Sequence, residues 1–190
     1  GDVYKRQPLQ DALEKELKID VALANDANCF ALAEARLGAG VGAETVFGII
    51  MGTGVGGGIV INGRALYGCQ GLAGEWGHNV LDPSGTECYC GQRGCVETFL
   101  AGPHLERYYE QVASERRALA DIVTRYHGGL DIYATATVER LLEYFGRALA
   151  VVVNLLDPHT GVLGGGVRNI DVLYSEGIKH LAPVSYTHLR

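Results

Sequence analysis

The chain has 190 residues, of which 47% are hydrophobic and 20% are charged, a balance typical of a globular protein with a substantial core. The net charge of −6 argues against a nucleic-acid surface, because phosphate binding needs clustered Lys and Arg. The longest apolar run, Ala148–Leu156, is far shorter than the roughly 18 residues of a membrane-spanning helix, so no membrane partner is expected.

The two ends of the chain fit no neighbouring pattern. Residues 1–7 (GDVYKRQ) and 184–190 (VSYTHLR) resemble translated adapter sequence. We therefore expect a fragment whose own ends are missing, and neither end is used to predict the fold.

The first part of the chain predicts two helices with a strand between them. Residues 8–19 place Leu and Ile side chains on one face of an amphipathic helix. Residues 20–26 predict a short buried strand, after which Asn25 or Asp26 can cap a second helix. That helix is expected to end at Gly38, since glycine favours the backbone conformation that follows a helix.

Strands and helices alternate along the rest of the chain. Residues 45–52 and 58–63 predict two strands, and Asn62–Gly63 is a strong hairpin signal. Four helices are then predicted, at residues 96–100, 105–113, 116–126 and 137–156. Residues 160–166 predict a strand that runs into a glycine turn, and residues 169–181 predict a final helix. This alternation indicates an α/β protein.

The cysteines indicate a metal site. Five Cys is an odd number, and three of them are crowded together, which favours metal or redox chemistry in a reducing compartment and therefore a cytoplasmic protein. The spacing His78-x9-Cys88-x-Cys90-x4-Cys95 can surround one Zn²⁺ tetrahedrally. Because protein would fill all four positions, such a site would be structural. The alternative is three reduced thiols beside a surface imidazole.

Two glycine-rich loops are candidates for phosphate binding. Gly52–Gly58 (GTGVGGG) lies between two predicted strands, where backbone N–H groups and the Thr53 hydroxyl can hold phosphate oxygens. Gly164–Gly166 follows a strand and precedes a helix, at the edge where open α/β sheets bind ligands. The alternative for the first loop is a tight hairpin without a ligand.

Three carboxylates are candidates for chemistry on hydroxyl groups. Asp26, directly after Asn25, lies at the start of a helix, where it can accept a proton from a substrate hydroxyl. The alternative is a simple N-cap. Glu75 and Glu97 flank the metal candidate and can each accept hydrogen bonds from sugar hydroxyls, or they can be solvated surface charges.

The order of these motifs is more specific than any one of them. Asn25–Asp26, GTGVGGG, EWGH, CYCGQRGCVE and LGGG follow one another between residues 21 and 181, and this order resembles the ROK family of sugar kinases and related repressors. The residues of the segments TVFGIIMGTG, NGRALYG and GCVETF are most similar to those of the bacterial fructokinase and mannokinase members of that family.

The resemblance implies an actin-like ATPase (ribonuclease H-like) α/β fold with two lobes. Residues 8–40 would be the end of the first lobe, and residues 41–183 most of the second lobe, with a zinc knot at 78–95. The D-x-G-G-T-K phosphate loop that opens the family's sequences is absent from this chain. We therefore expect the 190 residues alone to be inactive as a kinase.

The resemblance also implies roles for individual residues. The family's functional positions fall on Asp26 as catalytic base; on Asn25, Glu75, His78 and Glu97 as sugar contacts; on Gly52, Thr53 and Gly54 as a phosphate loop; on Gly164, Gly165 and Gly166 as a turn near the adenosine; and on His78, Cys88, Cys90 and Cys95 as the structural zinc site.

The implied activity is ATP-dependent phosphorylation of a hexose of the fructose, mannose and glucose class at its 6-hydroxyl. The implied cofactors are structural Zn²⁺ and the Mg²⁺ that accompanies ATP, and a homodimer is expected. One alternative is a ROK-type sugar-responsive repressor whose DNA-binding part is missing from this chain. Another is a zinc-stabilised binding domain without catalysis.

Overall fold

The computed structural model describes residues 3–181, with side chains described from Leu9 onward. Within this range the helices are α1 (Val3–Leu17), α2 (Asp26–Leu37), α3 (Glu97–Leu100), α4 (Gly102–Ala113), α5 (Leu119–Gly128), α6 (Ile132–Leu156) and α7 (Glu176–Lys179). The strands are β1 (Thr45–Met51), β2 (Val55–Ile61), β3 (Arg64–Ala65) and β4 (Thr160–Gly164).

The four strands form one sheet in the order β3-β2-β1-β4. β1 pairs antiparallel with β2 and parallel with β4, so that Val46 faces Val60 on one side and Thr160 on the other. The predicted turn between β2 and β3 is confirmed, because Asn62 and Gly63 both have positive φ, at 49° and 72°.

The two faces of the sheet pack against different helices. Phe47, Ile49 and Met51 alternate along β1 and share a core with the long helix α6. The opposite face carries glycines where α2 crosses it. A Cβ on Gly58 would lie 2.4 Å from the Ala27 carbonyl oxygen, so only glycine allows this approach of helix to strand. Helix α2 is thereby held directly against β1 and β2.

Two predicted elements are wrong. Residues 20–25 form no strand, because no neighbouring strand among the described residues offers a hydrogen-bonding partner. Residues 169–181 form short 3₁₀ turns and the single-turn helix α7 instead of one helix. The buried side chains of Val167, Ile170 and Leu173 recur every three residues, which is the period of a 3₁₀ helix.

Other boundaries differ by a few residues. β2 begins at Val55, so the glycine loop contains only residues 52–54 and the later glycines lie within the strand. α6 begins five residues before the predicted position because Asp131 caps it, accepting from the backbone N–H of Tyr133 and Ala134. The second predicted helix is confirmed, with Asn25 as its N-cap and Gly38 as its C-cap.

The proposed division into lobes at residue 40 stays a prediction. The packing of α2 on the sheet favours a boundary before Asp26, because that helix and the sheet form one packed unit. Residues 184–190 lie outside the described residues. No helix between residues 3 and 181 is long and apolar enough to cross a membrane.

Candidate active site and metal centre

A cleft of about 370 Å³ opens beside the loop between β1 and β2. Its walls come from the start of α2, this loop, and the irregular segment that contains the cysteines. The structure thus brings together residues that lie up to 72 positions apart in the sequence. The lining side chains and backbone include Asn25, Asp26, Gly52, Thr53, Gly54, Glu75, His78, Tyr89 and Glu97.

Asn25 links the start of α2 to Glu75. Its Oδ1 accepts from the Ala27 backbone N–H at 2.8 Å, and its Nδ2 donates to Glu75 Oε1 at 3.1 Å. Asp26 is the first residue of α2, and its exposed side chain lines the cleft. Asn25 is the N-cap, and Asp26 Oδ1 also accepts from the Ala27 backbone N–H, at 2.9 Å.

Glu97 is buried, although its charge predicts an exposed side chain. It is only 6% exposed, and its Oε2 accepts from the Val55 backbone N–H at 3.1 Å. A Cβ on Gly54 would lie 2.7 Å from the same oxygen, so the carboxylate lies directly under the loop between β1 and β2. Glu97 therefore fixes this loop as well as lining the cleft, and it is not a solvated surface charge.

The four predicted metal ligands lie together. The ligand atoms of His78, Cys88, Cys90 and Cys95 are all within 4.8 Å of one another. Cys88 Sγ is 3.6 Å from His78 Nδ1, and Cys90 Sγ is 3.6 Å from Cys95 Sγ. Zn–S and Zn–N bonds of about 2.3 and 2.0 Å in a tetrahedron separate the ligands by roughly 3.5–3.8 Å. The arrangement therefore fits a closed Zn²⁺ site.

The thiols have uneven proton affinities. Burial, together with the neighbouring thiols, raises the pKa of Cys95 to about 12, and burial also raises the pKa of Cys88. A hydrogen bond from the Gln92 backbone lowers the pKa of Cys90 to about 7. Three thiolates so close together require a compensating cation, which a divalent metal would supply.

His78 can serve both the metal and the cleft. Its Nδ1 faces Cys88, whereas its Nε2 lies 2.9 Å from the Tyr89 hydroxyl. If Nδ1 binds a metal, the proton of the neutral ring must be on Nε2. Nε2 would then donate to the Tyr89 hydroxyl, so His78 would hold both the metal and Tyr89, and the sugar contact predicted for His78 stays a prediction.

A second cleft of about 310 Å³ meets the first at Gly52 and Thr53. Its other walls come from the start of α4, at Gly102 and Pro103, and from Gly166 and neighbouring residues. Of the predicted turn, only Gly166 lines this cleft. Gly165, at φ 80°, lies against the end of β1, where a Cβ would be 2.2 Å from the Met51 carbonyl oxygen.

Sequence reasoning missed two features of the site. Tyr89 lines the first cleft, and the only available signal was its position between two metal ligands. Gly102 donates its backbone N–H to the Gly52 carbonyl at 2.9 Å and thereby joins α4 to the loop shared by both clefts. The Gly-Pro pair was a visible helix-start signal.

The sheet, with helices on both faces, matches the actin-like ATPase fold of structural neighbours that include a ROK family glucokinase. The chain matches the ROK family over residues 2–186, and it belongs to this family.

The relatives of the chain include enzymes and a regulator. It is 40% identical over 178 residues to an N-acetyl-D-glucosamine kinase of Pectobacterium carotovorum, covering 88% of this chain and 58% of that protein. A ROK family glucokinase from Streptomyces griseus, in complex with glucose and AMPPNP, superposes with a TM-score of 0.81 at 31% identity, covering 96% of this chain and 64% of that one. A ROK family transcriptional regulator, a homologue of the E. coli Mlc protein, superposes with a TM-score of 0.82 at 31% identity, covering 93% of this chain and 47% of that one.

Proposed function

We propose that this chain is part of an ATP-dependent kinase that phosphorylates a hexose of the fructose, mannose and glucose class at its 6-hydroxyl. One observation carries the proposal. Two clefts meet at Gly52 and Thr53, and one of them contains the exposed carboxylate of Asp26. A sugar in the first cleft and a nucleotide in the second would bring an acceptor hydroxyl and a phosphoryl group together at this loop.

In the first cleft, Asp26 is the proposed catalytic base. It would accept the proton of the sugar hydroxyl as that oxygen attacks the γ-phosphate. The Asn25–Glu75 hydrogen bond holds two polar side chains beside it, where they can orient the other hydroxyls. Correct orientation of a bound reactant can lower the barrier by several kcal/mol.

The second cleft is the proposed nucleotide site. Gly52 and Thr53 line both clefts, so the transferred phosphoryl group would pass them. Oxygen ligands suit Mg²⁺. Asp26 and Glu97 line the first cleft, Glu106 lines the second, and Thr53 lines both. Bound with ATP, Mg²⁺ would neutralise charge that develops on the phosphates.

The zinc site would act on the sugar through the shape of the loop. A bound ion would fix the backbone at Cys88, Cys90 and Cys95, and it would orient His78 towards the cleft. Glu97, two residues after the last ligand, is held by the Val55 N–H. This buried hydrogen bond connects the metal loop (residues 78–95) to the proposed phosphate loop (residues 52–54).

The test is replacement of Asp26 in the full-length protein. With ATP and a panel of fructose, mannose and glucose, Asp26→Asn is expected to lower kcat by about 10²–10⁴-fold, the usual contribution of a general base. Asp171→Asn is the matched control, because Asp171 is 75% exposed and lies outside both clefts. Unchanged phosphoryl transfer by Asp26→Asn would remove Asp26 as the base.

A ROK-type repressor is the second candidate, supported by the similarity to a ROK transcriptional regulator. A repressor has no need of a base at position 26. The gene sequence upstream of residue 8 separates the two candidates. A D-x-G-G-T motif there supports the kinase, whereas a pair of DNA-binding helices supports the repressor.

A further inference from the structure

Tyr89 has an unusual position for a large aromatic residue. Its side chain is 82% exposed, so it contributes little to the core. Its hydroxyl nevertheless lies 2.9 Å from His78 Nε2, and the two rings meet edge to face with centroids 5.1 Å apart. The side chain also lines the cleft that contains Asp26.

The chain around Tyr89 is suited to hold it in place. Its neighbours on both sides, Cys88 and Cys90, belong to the metal site. A bound metal would therefore fix the backbone immediately before and after the tyrosine. The hydrogen bond to His78, itself a ligand residue, restrains the ring further. An exposed side chain with three such restraints is a wall of the cleft, not a mobile surface group.

The order of residues along the cleft indicates which part of a sugar would meet this wall. From Asp26 the lining runs through Asn25 to Glu75, and a single 3₁₀ turn then leads to His78 and Tyr89. If the 6-hydroxyl of a hexose lies at Asp26, carbon 2 of a pyranose ring lies across the ring from carbon 5. The substituent on carbon 2 would therefore point towards the end of the cleft formed by His78 and Tyr89.

We propose that Tyr89 is a specificity-determining residue that admits hexoses with a hydroxyl on carbon 2 and excludes those with an acetamido group there. This inference rests on the proposed kinase function. An acetamido group is several atoms larger than a hydroxyl and would need the space that the phenol ring occupies. The family contains a kinase named for an N-acetylated sugar, so some residue must distinguish these two classes of substrate.

The experiment measures kcat/KM of the full-length protein for glucose and mannose and for their 2-acetamido analogues, N-acetylglucosamine and N-acetylmannosamine. Tyr89→Gly and Tyr89→Ala are expected to raise the ratio of acetamido sugar to parent sugar by about 10–100-fold, the usual range for steric discrimination in a pocket. Tyr89→Phe keeps the ring and is expected to leave the ratio unchanged. Tyr174→Ala removes another exposed tyrosine outside the cleft and is the general control.

The outcomes separate this inference from the proposed function. A wild-type protein that phosphorylates no hexose refutes the kinase itself. A wild-type kinase that uses acetamido sugars as well as the parent sugars overturns only the role of Tyr89. An unchanged ratio in Tyr89→Gly and Tyr89→Ala, both with zinc bound, overturns it too. Calorimetric titration with each sugar gives the ratio of Kd values, so the comparison survives a loss of turnover.

Discussion

Replacement of Gly94 by alanine tests the backbone of the metal loop. Gly94 directly precedes the candidate ligand Cys95 and has φ 67°, a conformation that alanine adopts only at a cost. A Cβ at this position would lie 1.6 Å from the carbonyl oxygen of Asp82. That oxygen belongs to the backbone, so no side-chain rotation can relieve the overlap.

The size of the effect follows from what must move. An L-residue at positive φ costs about 1–2 kcal/mol. Separating the two segments also breaks the hydrogen bonds that Leu81 and Asp82 donate to the Gly94 carbonyl, at 2.8 and 3.2 Å. Each bond contributes about 0.5–1.5 kcal/mol. Gly94→Ala is therefore expected to lower the free energy of unfolding by about 2–5 kcal/mol.

Gly91→Ala is the matched control within the same loop. Gly91 also has a positive φ, 92°, but nothing lies within 4 Å of a Cβ built there. Only the conformational cost of about 1–2 kcal/mol applies to it. If Gly94→Ala costs about 2 kcal/mol more, its Tm should be about 4–8 °C below that of Gly91→Ala.

The assay combines thermal unfolding with measurement of bound zinc after gel filtration. Gly94→Ala should lose metal as well as stability, because displacement of Gly94 moves Cys95, whereas Gly91→Ala should retain more of both. Equal Tm values, with full zinc content in both variants, would refute the packing of Gly94 on Asp82 and the derivation built on it.

Two further predictions concern other parts of the molecule. Gly58→Ala should displace α2, because its Cβ would lie 2.4 Å from the Ala27 carbonyl oxygen. Denaturant unfolding should show that the free energy of unfolding falls by about 1–3 kcal/mol. Gly161→Ala is the control, because nothing lies within 4 Å of a Cβ there, and it should change the free energy of unfolding by less than about 0.5 kcal/mol. Hydrogen bonds, first of all from the Ser84 hydroxyl, lower the pKa of Asp82 to about 2. Since this pKa is below the unfolded value of about 3.9, the stabilisation is complete above that pH and is lost as the pH falls towards 2. Asp82→Asn should therefore have a weaker dependence of Tm on pH between about 4 and 2. An unchanged fall of Tm with pH in this range would contradict the low pKa of Asp82.

The clustering of the four candidate metal ligands could be predicted from the sequence because local spacing determines it. Cys88, Cys90 and Cys95 are near enough along the chain that a few turns bring their sulfur atoms together, and His78 joins them across one antiparallel bridge between Val80 and Cys95. The start of α2 could be predicted for the same reason, since the capping side chain of Asn25 accepts a hydrogen bond from a residue only two positions away.

Features that depend on distant contacts could not be predicted. The burial of Glu97 results from an N–H group 42 positions earlier, and nothing around Glu97 in the sequence indicates that contact. The segment at 167–173 has a helical composition, but the core accepts side chains from it at every third residue and so favours 3₁₀ turns. Residues 20–25 have the composition of a strand, but among the described residues no neighbouring strand pairs with them.

The glycines of the sheet have a consequence for the proposed mechanism. Gly48 and Gly58 allow α2 to lie directly on β1 and β2, and β1 leads into the loop at Gly52 and Thr53. The proposed base at the start of α2 and the proposed phosphate loop are therefore attached to the same packed unit. A movement of this unit relative to any other part of the protein would leave the distance between base and loop unchanged. In the proposed kinase, closure around a substrate would then exclude water and complete the site, while the geometry between the proposed proton acceptor and the proposed phosphate loop is already set by backbone packing.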